Sequence, residues 1–385
     1  MSIKISGCRL CQRLIGTTLR ILVIRAGFPY HKAPHLYRWL WVFVLLPFLE
    51  EATLNELAEK HGKELKQLYG ILRTYPQSFE RLVRLISLPL LLEQMEEFSE
   101  LNDTAKSRRR IRIIVDDTKT EKYGQCMEWL HKLFDHCTDT YIMGYNFVLL
   151  LVVSGEMVFP LGFVLWLPSS HADYRSKNDI VRDEITQLQA ECEAHEVSLE
   201  DVELLCDSAY CRQKVVLTAQ HAGLRVITKP GNTHKFVFEG EKLTPKEIIE
   251  RVKGRQWKGL EAEISYQRVV VSHHKYGEVV LVVRRRRLKN QKLIYDVLLC
   301  TKRFYTAPRI HQSYKKRWRV ELEFKYDKQY LGLGKGQCQK LGSIRSQLAC
   351  VALAGLLVAL FRRQLSRNPS FRNTVRLIAQ ELRSE

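Results

Sequence analysis

Tyr314, Arg317, Glu321 and Lys328 stand at offsets 0, 3, 7 and 14. On one helix, at about 100° per residue, these offsets fall at roughly 0°, −60°, −20° and −40°, a stripe about 60° wide. A phenol, a guanidinium, a carboxylate and an ammonium on one stripe suit metal binding and the gripping of a phosphate backbone. Glu323 falls about 180° from Tyr314, so Glu321 is the expected metal ligand. Two further acids, Asp116 and Asp207, close short apolar runs, Ile111 to Val115 and Val202 to Cys206. Adjacent strand residues point to opposite faces, so Asp116 competes with Asp117 and is favoured as the first residue beyond its run. Three carboxylates can hold two Mg²⁺ or Mn²⁺ ions about 4 Å apart. Such ions activate a water or a 3′-hydroxyl and stabilise the leaving oxygen, which is phosphodiester chemistry.

The charge pattern agrees. The 385-residue chain has a formal net charge of +19; residues 1–230 sum to −1 and residues 231–385 to +20. A basic field concentrated around the Tyr314 segment favours a polyanion such as nucleic acid. Ten cysteines without a secretory signal point to a reducing compartment, so a cytoplasmic location is expected. Cys8 and Cys11 form one CxxC with no second half at zinc spacing, and Cys206 and Cys211 read as buried thiols. The apolar runs Trp39–Leu49, Phe147–Leu167 and Ala349–Phe361 are short or interrupted. They read as core, with no membrane partner.

The elements that must position the acids follow from periodicity. Residues 1–105 read as a helical N-terminal domain. Within it, Leu54 to Ile71 has helix-turn-helix spacing, with Ala58 at the helix contact and Gly62 in the turn. Lys106 to Arg110 reads as a basic linker. Residues 106–230 then alternate strand, strand, strand, helix, strand, helix, strand, the order of a ribonuclease-H-like α/β sheet. Here 141–153 and 156–167 form a hairpin, 176–195 and 209–222 are helices, and 202–207 and 224–229 are strands. A β-rich insertion, 231–305, carries strands at 264–271, 278–285 and 293–299. Residues 306–366 complete the α/β core with the Glu helix and an apolar helix around 344–364, and 367–385 form a basic tail.

Tyr314-x2-Arg317-x3-Glu321-x6-Lys328 resembles the Y-R-E-K signature of bacterial insertion-sequence DDE transposases. Arg317-Trp-Arg-Val-Glu321-Leu-Glu-Phe324-Lys325 is similar to that family's R-W-x-I-E-x-x-F-K. Asp116-Asp-Thr118 and Cys206-Asp207-Ser-Ala-Tyr210 look like its two acidic motifs, and the resemblance covers about residues 110–365. It implies a cut-and-paste enzyme of prokaryotic origin that acts on terminal inverted repeats and target DNA, as a homodimer in the DNA complex. Water nicks the DNA, the freed 3′-hydroxyl attacks the opposite strand to give a hairpin end, and the reopened 3′-hydroxyl joins target DNA. Arg317, Lys325 and Lys328 would hold phosphates, and Tyr314 would contact the backbone or brace the site.

Trp257, the tryptophan of the insertion, resembles the aromatic on which such enzymes stack a flipped base; a core aromatic is the competing reading. Arg284, Arg285, Arg286 and Arg287 end an insertion strand and must point to both of its faces, so some are expected to reach DNA. His136 and His171 read as structural polar residues. Two alternatives remain on sequence grounds: a ribonuclease-H-like nuclease without strand transfer, and an inactive DNA-binding derivative.

Overall fold

The computed structural model describes residues 13–14, 19–29, 42–48, 65–124, 126–135, 138–365 and 369–384. The chain divides into two compact units: residues 1–100, 117–175 and 321–385 form one, residues 101–116 and 176–320 the other. The helices are α1 (Leu19–Arg25), α2 (Leu65–Thr74), α3 (Pro76–Ser99), α4 (Asp103–Arg108), α5 (Lys177–Ala194) and α6 (Gln213–His221). They continue as α7 (Pro245–Val252), α8 (Ala307–Lys315), α9 (Trp318–Tyr330), α10 (Leu341–Gln364) and α11 (Phe371–Ser384). Strands β1 (Ile111–Glu121), β2 (His131–Asp135), β3 (Thr140–Ser154), β4 (Met157–Trp166), β5 (Glu203–Cys206) and β6 (Arg225–Thr228) come first. After them run β7 (Phe236–Phe238), β8 (Glu241–Leu243), β9 (Lys258–Glu261), β10 (Ile264–His273), β11 (Gly277–Arg287) and β12 (Leu293–Cys300).

In the first unit β3 and β4 form the expected hairpin, with Ser154 opposite Met157. Gly155, at φ 57°, takes the first turn position, which a side chain would strain. From Gly144 to Ser154 every residue of β3 is buried, which explains its unbroken apolar run. β2 pairs with the start of the same strand, His131 opposite Gly144. It is not legible in sequence, because His131-Lys-Leu-Phe-Asp is short and mostly polar. Helix α10 packs on α2, α3 and β4. It is 24 residues long and apolar enough by length and composition to cross a membrane, yet 89% of its apolar window is buried inside the protein. It starts at Leu341, so it is longer than the apolar run alone indicates. The described part of residues 1–100 is helical; of the helix-turn-helix pattern, residues 54–64 lie outside the described residues, as do Cys8, Cys11 and His136.

In the second unit the first half of β1 pairs in parallel with β5, and β5 with β6. Strand order β4-β3-β1 in the first unit and β1-β5-β6 in the second fits a ribonuclease-H-like domain. Residues 231–305 do more than interrupt this sheet. β12 lies antiparallel on β6, and the order runs on through β11, β10, β7 and β8. Side-chain caps set the helix starts: Ser176 accepts from Asp179 N, Thr306 from Arg309 N, and Thr244 with Glu247 closes a capping box on α7.

Candidate active site

The register of the parallel strands brings two of the expected acids together. Val115 pairs with Cys206, and Cys206 with Thr228. Asp116, Asp207 and Lys229 are therefore the next residues along three neighbouring strands, at the point where β5 and β6 end. Asp116 was expected at a strand tip. β1 instead continues to Glu121, and Asp116 marks only the point where β5, its parallel partner, ends. Asp207 turns one carboxylate oxygen onto Ala209 N at 2.9 Å, and its backbone carbonyl accepts from the Thr228 hydroxyl at 3.0 Å. Both features fix the loop that leaves β5. Asp117, in the first unit, accepts instead from Nδ2 of the fully buried Asn146 at 2.9 Å.

The single helix expected through Tyr314 and Lys328 is broken. α8 ends at Lys315 and α9 begins at Trp318. Between them the amides of Lys316, Arg317, Arg319 and Val320 each bond three residues back, to Ser313, Tyr314, Lys316 and Arg317. Such 3₁₀ bonding turns each residue about 120° rather than 100°, so the phase of the stripe is lost at Arg317. Arg317 Nη1 donates to Asp116 Oδ2 at 2.8 Å. Tyr314 is 8% exposed, and burial pushes its hydroxyl pKa up. Two cations, Lys229 Nζ and Arg317 Cζ, each lie 5.9 Å from its ring centroid. Tyr314 is thus buried rather than projecting into solvent.

On α9, within the first unit, Glu321 is half-buried and Lys325 and Lys328 are exposed. Glu323 and Asp327, one turn apart, are buried at 7% and 4% exposure. Burial therefore separates Glu321 from Glu323, whereas the helical phase counted from Tyr314 does not carry across the break. Burial, then the neighbouring Glu323, raises the Asp327 carboxyl well above the usual carboxylate range.

The arginine cluster divides. Arg284, expected among the DNA-facing cations, is 7% exposed; its Nε donates to Asp296 at 2.8 Å, its Nη2 bonds the other Asp296 oxygen, and its Nη1 meets His311 at 2.9 Å. The reason is register: Asp296 is its direct cross-strand partner on β12. Arg284 belongs to the packing. Arg285 lies with its guanidinium 4.6 Å from the centre of the Trp257 ring, which also meets Tyr295 at 5.9 Å. Trp257 is half-buried in that stack, with Nε1 donating to Lys253 O at 3.2 Å, while Arg286 and Arg287 are exposed. His171 accepts from Asp173 N at 2.9 Å and packs edge-on against Trp129.

A family model described as Transposase DDE domain matches residues 107–357, more than half of the chain. The chain belongs to the DDE transposase family. No curated protein matches it.

The DDE transposase match spans both aspartates, the β-rich segment, Glu321 and most of α10. Such enzymes generally use divalent metals, and the donor set suits them. Asp116 and Asp207, the residues that follow the paired Val115 and Cys206, both carry hard carboxylate oxygens. Among the described residues no three His, Cys, Asp or Glu side chains are gathered into a metal cage. Sequence reading missed Lys229. It follows the apolar run Leu224 to Thr228 as Asp116 and Asp207 follow theirs, but only the register places it beside them.

Proposed function

We propose that the chain is a cut-and-paste DNA transposase of the Y-R-E-K branch, from a bacterial insertion sequence, and that it cleaves element ends and joins their 3′-hydroxyls to target DNA. One observation carries the reading: two aspartates side by side in one strand row, flanked by the cations Lys229 and Arg317. Asp116 and Asp207 serve as metal ligands, and Glu321, four residues after Arg317 in sequence, is the third acid. Bound Mg²⁺ or Mn²⁺ would lower the pKa of the attacking water or 3′-hydroxyl and neutralise charge on the leaving oxygen. Arg317 and Lys229 hold non-bridging phosphate oxygens beside the acids, Lys325 and Lys328 hold the backbone along α9, and Tyr314 keeps both cations in place. Trp257 with Arg285 offers a stacking surface for an unpaired base, and Arg286 and Arg287 reach adjacent phosphates. The enzyme acts as a homodimer on paired ends.

The test uses duplexes copied from inverted repeats flanking the coding region, with labelled 3′-hydroxyl ends, Mg²⁺ or Mn²⁺ and a target plasmid. Covalent joining of label to target supports the reading. Cleavage without joining would leave a nuclease, and binding without cleavage an inactive derivative.

A further inference from the structure

A second charged row lies four residues upstream of Asp116, Asp207 and Lys229. Arg112 pairs with Glu203, and Glu203 with Arg225. Four residues along a strand return to the same face, about 13 Å away. Glu203 is fully buried. Arg112 Nε lies 3.3 Å from its Oε2, while Arg309 Nη2 and Arg110 Nη1 lie 3.5 and 3.8 Å from its Oε1. None of these approaches has hydrogen-bond geometry. Both Glu203 oxygens, and the Nε atoms of Arg112, Arg225 and Arg309, are buried without a hydrogen-bond partner. Arg225 turns its other nitrogens to Asp201 at 3.0 Å and to the Tyr305 hydroxyl at 2.9 Å. Arg309 covers the Tyr305 ring at 3.3 Å, from the first turn of α8.

Four guanidiniums thus share two carboxylates, and one of these, Asp201, is 57% exposed at its side chain. A purely structural ion network matches its charges and completes its hydrogen bonds, because unpaired buried charge is costly. This one keeps about two excess positive charges and orphaned donors. Burial lowers the pKa of Arg112 and Arg309, and crowding by Arg110 lowers both further. The side chains of Arg110, Arg225 and Arg309 remain 17%, 17% and 27% exposed, so the cluster opens to solvent. Arg108 and Arg109, just before Arg110 in sequence, are exposed. Planar forks around an incompletely neutralised centre match the chemistry of a phosphate.

We propose that Arg110, Arg112, Arg225 and Arg309 form a phosphate site that takes a DNA-backbone phosphate away from the reacting bond. The choice of DNA rests on the proposed function; the phosphate chemistry does not.

Two measurements on the full chain test it. First, melting is followed in inorganic phosphate and in chloride at equal ionic strength. E203Q removes the central carboxylate, so phosphate should raise its melting temperature more than that of the wild type. Adding R309Q should erase the gain, and a phosphate response no larger than the chloride response in every variant overturns the site. Second, duplex binding is followed by fluorescence anisotropy across salt concentrations. The R110Q/R309Q double variant should bind about tenfold more weakly. Its log-affinity against log-salt slope should be shallower by about 1, as expected when one fewer DNA phosphate is neutralised. Should R309Q fail to fold, R110Q alone serves, since the bond from Arg112 to residue 110 goes to its backbone carbonyl, which the substitution keeps. Unchanged affinity and slope in a folded variant overturn the DNA assignment. If the wild type binds no duplex, the proposed function fails instead, and the melting experiment still decides whether the phosphate site exists.

Discussion

Arg317 Nη1 holds Asp116 Oδ2 at 2.8 Å, with both side chains less than a fifth exposed. The guanidinium therefore neutralises the carboxylate proposed as a metal ligand, and in the proposed function it exchanges that carboxylate for a substrate phosphate. R317Q should lower strand cleavage by about 10²–10³, the usual effect of removing one transition-state donor. The same variant should bind Mn²⁺ at lower concentration, because a competitor for Asp116 is gone. Calorimetric titration of Mn²⁺ checks the second half; weaker Mn²⁺ binding by R317Q would mean that Arg317 supports the carboxylate rather than guarding it.

Neighbouring acids separate the assigned ligands from their sequence competitors. D116N, D207N and E321Q should each abolish cleavage while duplex affinity stays within a few-fold. D117A should keep most activity and lose about 1–3 kcal/mol of stability, because it strands the buried Asn146 amide. Paired cleavage assays and thermal melts decide it; an inactive, fully stable D117A would exchange the roles of Asp116 and Asp117.

The Arg284–Asp296 pair gives a pH dependence with a definite sign. Burial alone would raise the Asp296 carboxyl, but the hydrogen bonds and charge of Arg284, with Lys229, hold it below the usual range. A depressed carboxyl contributes stability above its unfolded value of about 3.9, and that contribution is lost as pH falls through the folded value. D296N should thus lower the melting temperature at neutral pH and converge on the wild type below about pH 4. R284M should cost about 3 kcal/mol, the low end for a broken buried pair, because Asp296 keeps some solvent contact. Urea denaturation across pH 3–8 would show a constant difference if the pair made no contribution.

Asp327 carries the opposite sign. A carboxyl raised by burial beside Glu323 contributes fully only below its unfolded value, and that contribution fades as pH rises through the folded one. D327N keeps the shape without the charge, so it should melt a few degrees above the wild type at pH 8. Near pH 4 the gain should vanish. Equal melting temperatures at pH 8 would mean that the pair is neutralised by other means.

Much of this was legible in the chain. The hairpin of β3 and β4, the acid-ended runs of β1 and β5 and the Glu321 motif each have a local signature, because apolar runs and punctuating acids are local features. Three things were not. β2 is too polar to read as a strand until β3 supplies its partner. The break at Lys316–Arg317 has no glycine or proline to announce it, and it re-aims Arg317 toward Asp116. The fate of Arg284 depends on a cross-strand register with Asp296, and no periodicity within one strand reveals a partner on the next.

Lys229 is the residue for which register matters most. It stands one position past Thr228, as Asp207 stands one past Cys206, at the ends of two paired strands. Its side chain is 42% exposed, with the ammonium 3.3 Å from Asp296 and 5.9 Å from the centre of the Tyr314 ring. A phosphate drawn to the acids would meet it, and a point cation there would offset charge on a non-bridging oxygen as the transition state forms. K229M should reduce cleavage about 10²-fold at saturating DNA, with duplex affinity changed only a few-fold. K229R should recover part of the rate. A purely structural role through Asp296 would give another pattern, in which K229M and D296N lose stability and activity in parallel. Single-turnover cleavage with melting temperatures for K229M, K229R and D296N separates the two, and a stable K229M that cleaves at the wild-type rate would remove Lys229 from the site.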